Sequence, residues 1–130
     1  MAHLFVFGTL RPAANDPFGR RARDRLAAES RPGGPAATHG VLYDLGRYPG
    51  LWPVGAGRVL GNIVELAAPQ ATFAWLDLYE GGEYERVRRQ VALEAGGEVG
   101  AWLYALRRRP TRAASVPGGD WMSLAGPRST

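Results

Sequence analysis

The sequence predicts an α+β fold in which one or two helices flank a mainly antiparallel, partly closed β-sheet. Five apolar segments have the length and residue types of strands, and they follow one another too closely for helical crossovers throughout. Two other segments carry helix-start signals, and a Gly-Gly hairpin signal joins the last two strands. A chain of 130 residues can bury one core, so residues 1–122 are expected to form a single domain and residues 123–130 a C-terminal tail.

The amino-terminal elements are a strand and a helix. An uninterrupted apolar run stops at Gly8, which is typical of a buried strand, here over residues 3–8. Asp16 has the residue type of an N-cap, and Pro17 suits the first position of a helix. A helix is therefore expected over residues 17–29.

Gly and Pro residues divide the middle of the chain. A loop is predicted at residues 31–35, where Pro and Gly fill four of the five positions. Strands are expected over residues 37–43 and 58–66. The Gly/Pro-rich segment 44–57 between these strands is interpreted as a long connection.

The last regular elements are a helix and a hairpin. Pro69 begins a helix that is expected to end at Glu80, directly before a pair of Gly residues. Strands over residues 84–94 and 98–106 flank a short Gly-containing turn, which predicts a hairpin. The segment after Pro110 is rich in Pro and Gly and is expected to cross the surface.

The composition excludes several kinds of chemistry. The absence of Cys rules out a thiol nucleophile, disulfides and cysteine metal sites, and no Ser has the Gly-x-Ser-x-Gly context of a nucleophile elbow. All 16 basic residues are Arg, so a Schiff-base or P-loop Lys is not available. His3 and His39 lack acidic or His partners at ligand spacing, so no metal and no cofactor are expected.

The charge balance bears on the partners of the protein. A net charge of +4 and a pI near 10.1 raise the question of nucleic-acid binding. Acidic residues interleave with Arg on the first helix, and no basic stripe with interspersed aromatic residues occurs, so no nucleic-acid partner is expected. No apolar run is long enough to cross a bilayer, and no signal peptide is recognisable, so we expect no membrane association and a cytoplasmic location. The Lys-free, Arg-rich composition is typical of a GC-rich bacterial genome.

Two segments contain candidate functional residues. The turn Gly8-Thr9-Leu10 follows a strand directly, and backbone amides at such a turn can bind an anionic group. Glu80 lies at a helix C-terminus, where the helix dipole and any burial both raise the pKa of a carboxyl group. Such a group can transfer protons near neutral pH. Its spacing alone, however, favours a solvated residue at a helix end, because most Glu side chains are exposed.

Five sequence blocks in a fixed order suggest a family. Together they resemble the gamma-glutamylcyclotransferase-like superfamily, and they extend over roughly residues 3–122. The blocks are residues 5–11, 41–50, 57–66, 76–86 and 119–121. The resemblance implies a small mixed β-barrel with flanking helices and a cavity at one end. It also implies a reaction in which the α-amine of a small-molecule γ-glutamyl amide attacks its own γ-carbonyl, giving 5-oxoproline and an amine without metal or cofactor.

The resemblance also implies site residues. Glu80 falls at the position of the family's catalytic acid/base, and the turn amides would hold the substrate carboxylate or a developing oxyanion. The substrate-binding residues that follow from the resemblance are Phe7, Gly8, Thr9, Leu10 and Tyr104. Phe7 stands where the family usually has Tyr, so the hydroxyl of that side chain is lost.

A non-catalytic module with the same fold is the alternative to an enzyme. Such a module would bind a small molecule or have a regulatory role. Phe7 favours it, because the family's Tyr hydroxyl is missing. Glu80 favours the enzyme, because a pure binding protein has little need for an acid at that position. A cavity that contains both Glu80 and the turn at residues 8–10 would support the enzyme.

Overall fold

The computed structural model describes residues 2–124, which fold into eight strands and two α-helices joined by turns and short 3-10 helices. In chain order these are β1 (Ala2–Val6), α1 (Arg20–Ala28), β2 (Ser30–His39), β3 (Val41–Asp44), β4 (Pro49–Trp52), β5 (Arg58–Leu66), α2 (Pro69–Glu80), β6 (Tyr84–Leu93), β7 (Glu98–Leu106) and β8 (Ala114–Ser115). Residues 125–130 of the expected C-terminal tail lie outside the described residues. Within residues 2–124 no helix is both long and apolar enough to span a membrane.

Five strands close into a barrel in the order β1-β5-β2-β6-β7. Every neighbouring pair is antiparallel except β1 and β7, which run parallel with Leu4 opposite Trp102. The expected mixed, mainly antiparallel barrel with flanking helices is therefore confirmed. The parallel pair brings the carboxyl ends of β1 and β7 to the same end of the barrel. A second, three-stranded sheet has the order β4-β3-β8.

Two clusters of buried apolar side chains lie on opposite sides of the barrel wall. Successive residues of β1 alternate between them, so that Leu4 and Val6 belong to one cluster and Phe5 to the other. The first cluster also contains Leu26 of α1 and Leu76 of α2, which places it between the wall and the helices. The second fills the barrel with side chains from other strands, among them Ile63, Val91 and Leu103.

The two helices are joined by the carboxylate of Glu29, the residue that caps the C-terminus of α1. Its Oε1 atom accepts hydrogen bonds from Thr72 Oγ1 at 2.6 Å and from Trp75 Nε1 at 3.0 Å. These hydrogen bonds, those from Thr72 above all, hold the pKa of Glu29 below its ordinary value. The contact fixes α2 against the end of α1, and α2 carries Glu80.

The predicted loop at residues 31–35 is wrong, because β2 runs through it. The strand accommodates the Pro and Gly residues with a register shift between Pro32 and Gly34. A side chain at Gly33 would lie 2.7 Å from a methyl carbon of Ile63, so glycine permits the close approach of the two strands. Local residue preferences were overridden here by the long-range pairing that closes the barrel.

The predicted connection at residues 44–57 and the segment after Pro110 each contain a short strand that local signals did not show. β4 pairs with β3, and β8 pairs with β3 on its other side. Gly50 of β4 packs against β7, where an added side chain would lie 2.7 Å from Leu106. The predicted first helix begins as a 3-10 turn at Pro17–Gly19, with the Asp16 side chain accepting a hydrogen bond from the Phe18 amide as expected of an N-cap.

Candidate active site

A cavity of about 500 Å³ opens at the end of the barrel where β1 and β7 both finish. It is bounded by the turn after β1, the end of α2, the start of β6 and the segment that leads into β4. All six residues named from the sequence line it: Phe7, Gly8, Thr9, Leu10, Glu80 and Tyr104. The turn and the carboxylate, 70 residues apart in sequence, therefore face one space.

The C-terminus of α2 delivers Glu80 to the cavity. The helix ends at Glu80 and is capped by Gly81, whose φ of +80° is unfavourable for a residue with a side chain. The Gly81 amide donates to the Asp77 carbonyl at 3.2 Å. The chain then turns through Gly82 and Glu83 into β6. The glycine pair thus sets both the end of the helix and the position of the carboxylate, as the sequence indicated.

Glu80 is electrostatically unusual. Its side chain is partly buried, and burial alone raises its pKa to about 7. Within residues 2–124 no hydrogen bond or ion pair to its carboxyl group occurs. The group is therefore free to interact with a ligand and can gain or lose a proton near neutral pH.

The turn after β1 offers hydrogen-bond donors to the cavity. Thr9 and Leu10 are buried, yet within residues 2–124 neither backbone N–H donates a hydrogen bond. They are the two central amides of the turn that the Arg11 N–H closes by donating to the Gly8 carbonyl at 3.1 Å, and both residues line the cavity, so these amides are available to a ligand acceptor. The Thr9 carbonyl accepts a hydrogen bond from Arg23 Nη1 at 2.9 Å. Gly8 is required by packing, because a side chain there would lie 2.5 Å from Pro49.

Arg11 anchors this turn and does not line the cavity. Its Nε donates to Asn62 Oδ1 at 2.8 Å, and its Nη1 donates to Asp120 Oδ1 at 2.7 Å. Asp120 also accepts a hydrogen bond from the Met122 amide at 3.0 Å. Because its charge is already paired, Arg11 supports the turn and is not available to a ligand in the cavity. The sequence contained both partners within recognised blocks but gave no sign that they meet.

A chain of hydrogen bonds from Arg86 to Asp77 and from Tyr104 to Asp77 fixes the hydroxyl of Tyr104. Tyr104 Oη donates to Asp77 Oδ1 at 2.6 Å, and Arg86 contacts the two Asp77 oxygens at 3.1 and 3.3 Å. Burial raises the pKa of Asp77, but the hydrogen bonds from Arg86 and Tyr104 outweigh this effect, and the net pKa lies below the ordinary value. Asp77 is therefore ionised and can only accept hydrogen bonds, so the Tyr104 hydroxyl must be the donor in this pair. The Tyr104 oxygen can then accept a hydrogen bond from an N–H in the cavity.

Several lining residues were not assigned to the site from the sequence. Tyr84 lines the cavity and its hydroxyl donates to the Pro49 carbonyl at 3.2 Å. Glu83 is exposed and also lines the cavity. Phe18 of the 3-10 turn and Tyr48 of the connection between β3 and β4 also line the cavity. Among residues 2–124, His, Asp and Glu side chains form no cluster of three that could hold a metal ion.

Solved structures with the same fold are found in distant organisms. An AIG2-like protein from Mus musculus is 22% identical to this chain. The alignment covers 100% of this chain and 98% of the mouse protein, with a TM-score of 0.76. The protein PH0828 from Pyrococcus horikoshii is 20% identical with coverages of 95% and 92% and a TM-score of 0.68. A protein described as gamma-glutamyl cyclotransferase is 15% identical with coverages of 88% and 69% and a TM-score of 0.60. At these identities the similarity establishes a shared fold.

Sequence comparison identifies a family, which a shared fold alone does not. No curated protein sequence matches this chain significantly. The family model described as "Gamma-glutamyl cyclotransferase, AIG2-like" matches residues 4–123, which include the turn after β1, the end of α2 and the anchoring Asp120. With this match over nearly its whole length, on a barrel that has the fold of those solved structures, the chain belongs to the gamma-glutamyl cyclotransferase, AIG2-like family.

Proposed function

We propose that this protein is a γ-glutamyl cyclotransferase that converts a γ-glutamyl amide into 5-oxoproline and a free amine. The observation that carries the proposal is the shared cavity of Glu80 and the turn at residues 8–10. One wall offers a proton-accepting carboxyl group with a pKa of about 7. The other wall offers two unpaired amide donors, those of Thr9 and Leu10.

The reaction requires a single proton carrier. The α-amine nitrogen of the substrate attacks its γ-carbonyl carbon, and a carbon–nitrogen bond forms while the carbonyl oxygen becomes an oxyanion. Glu80 takes the proton that the attacking nitrogen releases. The bond to the original amide nitrogen then breaks, and Glu80 returns the proton to that nitrogen so that it leaves as a neutral amine. No electron acceptor and no external water are consumed.

The donors and acceptors of the cavity suit the two ends of the glutamyl group. The amides of Thr9 and Leu10 would hold the α-carboxylate or the developing oxyanion. The Tyr104 oxygen, with its own proton bound to Asp77, would accept a hydrogen bond from the α-amine and direct it toward Glu80. Positioning of this kind lowers the barrier because the attack is intramolecular.

The direct test is a screen of γ-glutamyl compounds for release of 5-oxoproline. With an active compound, Glu80→Gln keeps the shape of the side chain but cannot take up a proton, so the rate should fall about 100- to 10,000-fold. Glu85→Gln is the matched control, because Glu85 is exposed, pairs with Arg107 on the surface and does not line the cavity. Near wild-type turnover by Glu80→Gln would refute the assignment of Glu80.

A binding module without turnover is the second candidate, and Phe7 is the observation that favours it. The Phe7 ring is buried against Phe5, with centroids 6.1 Å apart, and brings no hydroxyl to the cavity. If the protein is such a binding module, 5-oxoproline or a γ-glutamyl amide would bind in the cavity, while the screen would yield no product from any amide.

A further inference from the structure

The opening of the cavity is lined by exposed aromatic rings. Phe18 is 54% exposed and Tyr79 42% exposed, although large aromatic side chains of a folded domain usually bury most of their surface. The Phe18 ring stacks on Tyr48, with centroids 6.4 Å apart and planes within 14°. All three line the cavity and come from three different segments of the chain. We call Phe18, Tyr48 and Tyr79 the aromatic rim.

The protein core does not account for the exposure of Phe18. Its ring belongs to neither of the two buried clusters, and its backbone is held in place by the Asp16 cap at 2.9 Å. Leu78 is still more exposed, at 83%, but does not line the cavity. Phe18 therefore offers exposed apolar surface at the cavity that a bound molecule would remove from water.

The charges of the cavity discriminate between kinds of ligand. The charged residues that line it within residues 2–124 are Glu80 and Glu83, both acidic. Arg11 and Arg23 are bound to acceptors of the protein, and the guanidinium of Arg47 lies 5.9 Å from the Phe18 centroid without lining the cavity. A carboxylate bound against the lining of the cavity beside Glu83 would meet an acidic side chain and no lining cation, so it would be disfavoured there.

The volume of the cavity leaves room beyond the glutamyl group. About 500 Å³ lies within the range of cavities that hold drug-sized molecules. Under the proposed function, on which this inference rests, the glutamyl group occupies the end near Glu80 and the turn. We propose that the aromatic rim binds the leaving-amine half of the substrate, and that this amine carries an aromatic ring and no carboxylate.

Three γ-glutamyl compounds test the proposal because each differs in one feature. They are the phenethylamide, the ethylamide, which lacks the ring, and γ-glutamylphenylalanine, which adds a carboxylate to the phenethylamide. The wild-type protein should turn over the phenethylamide with a kcat/KM about tenfold or more above the other two. Equal kcat/KM values for the phenethylamide and the ethylamide would overturn the proposal.

Variants of the rim assign the preference to its residues. Phe18→Ala should lower kcat/KM for the phenethylamide about tenfold and change that for the ethylamide less than twofold. Leu78→Ala, which removes an exposed apolar side chain away from the cavity, should change neither value. Glu83→Gln should reduce the discrimination against γ-glutamylphenylalanine. An equal loss for both amides in Phe18→Ala would show a structural role and refute the proposal.

Calorimetric binding to the Glu80→Gln protein separates this proposal from the proposed function. Tighter binding of the phenethylamide than of the ethylamide, lost in the Phe18→Ala/Glu80→Gln double variant, supports the rim even if no compound yields 5-oxoproline. Turnover of all amides with no preference for the ring would refute the rim while leaving the cyclotransferase intact.

Discussion

The side chains of Arg11 and Asp120 meet at 2.7 Å although 109 residues separate them in the chain. Arg11 directly follows the turn that offers amides to the cavity, and only 13% of its side chain is exposed. Asp120 lies between two short 3-10 helices near the end of the described chain. The carboxyl-terminal segment therefore fixes the position of the amino-terminal turn.

Replacing Asp120 by Ala should weaken both the fold and ligand binding. The substitution leaves a largely buried guanidinium without its carboxylate, which costs on the order of 1–3 kcal/mol of the free energy of unfolding. It also releases the turn, so the affinity for 5-oxoproline should fall. Urea unfolding and calorimetry measure the two effects. Glu85→Ala, which removes an exposed ion pair, should cost about 1 kcal/mol or less, and an equal loss in both variants would contradict the anchoring role.

The pKa of Glu80 predicts the pH dependence of the rate. Under the proposed function Glu80 accepts the amine proton only when it is ionised, so kcat/KM should rise with pH up to about 7 and then level off. An ordinary solvated carboxyl group would place the midpoint between about 4 and 5. Initial rates of 5-oxoproline release between pH 5 and 9 locate it. A midpoint below about 5 would mean that Glu80 is not the titrating group.

The same pKa predicts that Glu80 lowers stability at neutral pH. The folded protein holds the Glu80 proton more tightly than the unfolded chain, so the free energy of unfolding falls as pH rises from about 4.5 to about 7. Glu80→Gln removes this loss and should be more stable than wild type by about 2 kcal/mol above pH 7, after allowing for partial solvent contact. Near pH 4 the two proteins should be equally stable. Urea unfolding at pH 4 and pH 8 measures the difference, and an equal difference at both pH values would contradict the assignment.

Because Tyr104 donates its proton to Asp77, its oxygen can accept a hydrogen bond in the cavity, and a Phe variant should lose activity. Tyr104→Phe removes the acceptor that would hold the α-amine, so kcat should fall about 10- to 100-fold. Tyr43→Phe is the control, because Tyr43 is equally buried and its hydroxyl accepts a hydrogen bond from Arg109 outside the cavity. Steady-state kinetics distinguish the two variants. The role of Tyr104 would be disproved by a kcat that matches that of Tyr43→Phe.

The elements with strong local signals were predictable from the sequence. The structure places α2 at Pro69–Glu80 and β7 at Glu98–Leu106, the same bounds that the Pro start, the Gly stop and the hairpin signal predicted. The prediction of a loop at residues 31–35 was wrong because the Pro and Gly residues of this segment favour a loop only in isolation. Pairing with β5 over the length of β2 outweighs that preference, and this pairing exists only in the closed barrel.

The candidate site likewise has one part that local sequence patterns predicted and another that depends on the whole fold. Glu80 and the turn at residues 8–10 belong to sequence blocks that a reader can recognise, and the structure brings both to one cavity. The bond from Tyr104 to Asp77 joins two elements whose relative position is a property of the whole fold. The exposure of Phe18 likewise follows from packing and not from its neighbours in the chain, so no local pattern could have shown it.

The parallel pairing of Leu4 with Trp102 also bears on how the protein acquires its cavity. A nascent chain that has left the ribosome only as far as β6 already contains the turn and Glu80, but the barrel that brings them together is still open. Contacts between such distant segments form late, because the entropy of closing a long loop must be overcome before they stabilise the chain. Ligand binding should therefore appear only when the barrel closes, and 5-oxoproline would serve as a reporter of completed folding.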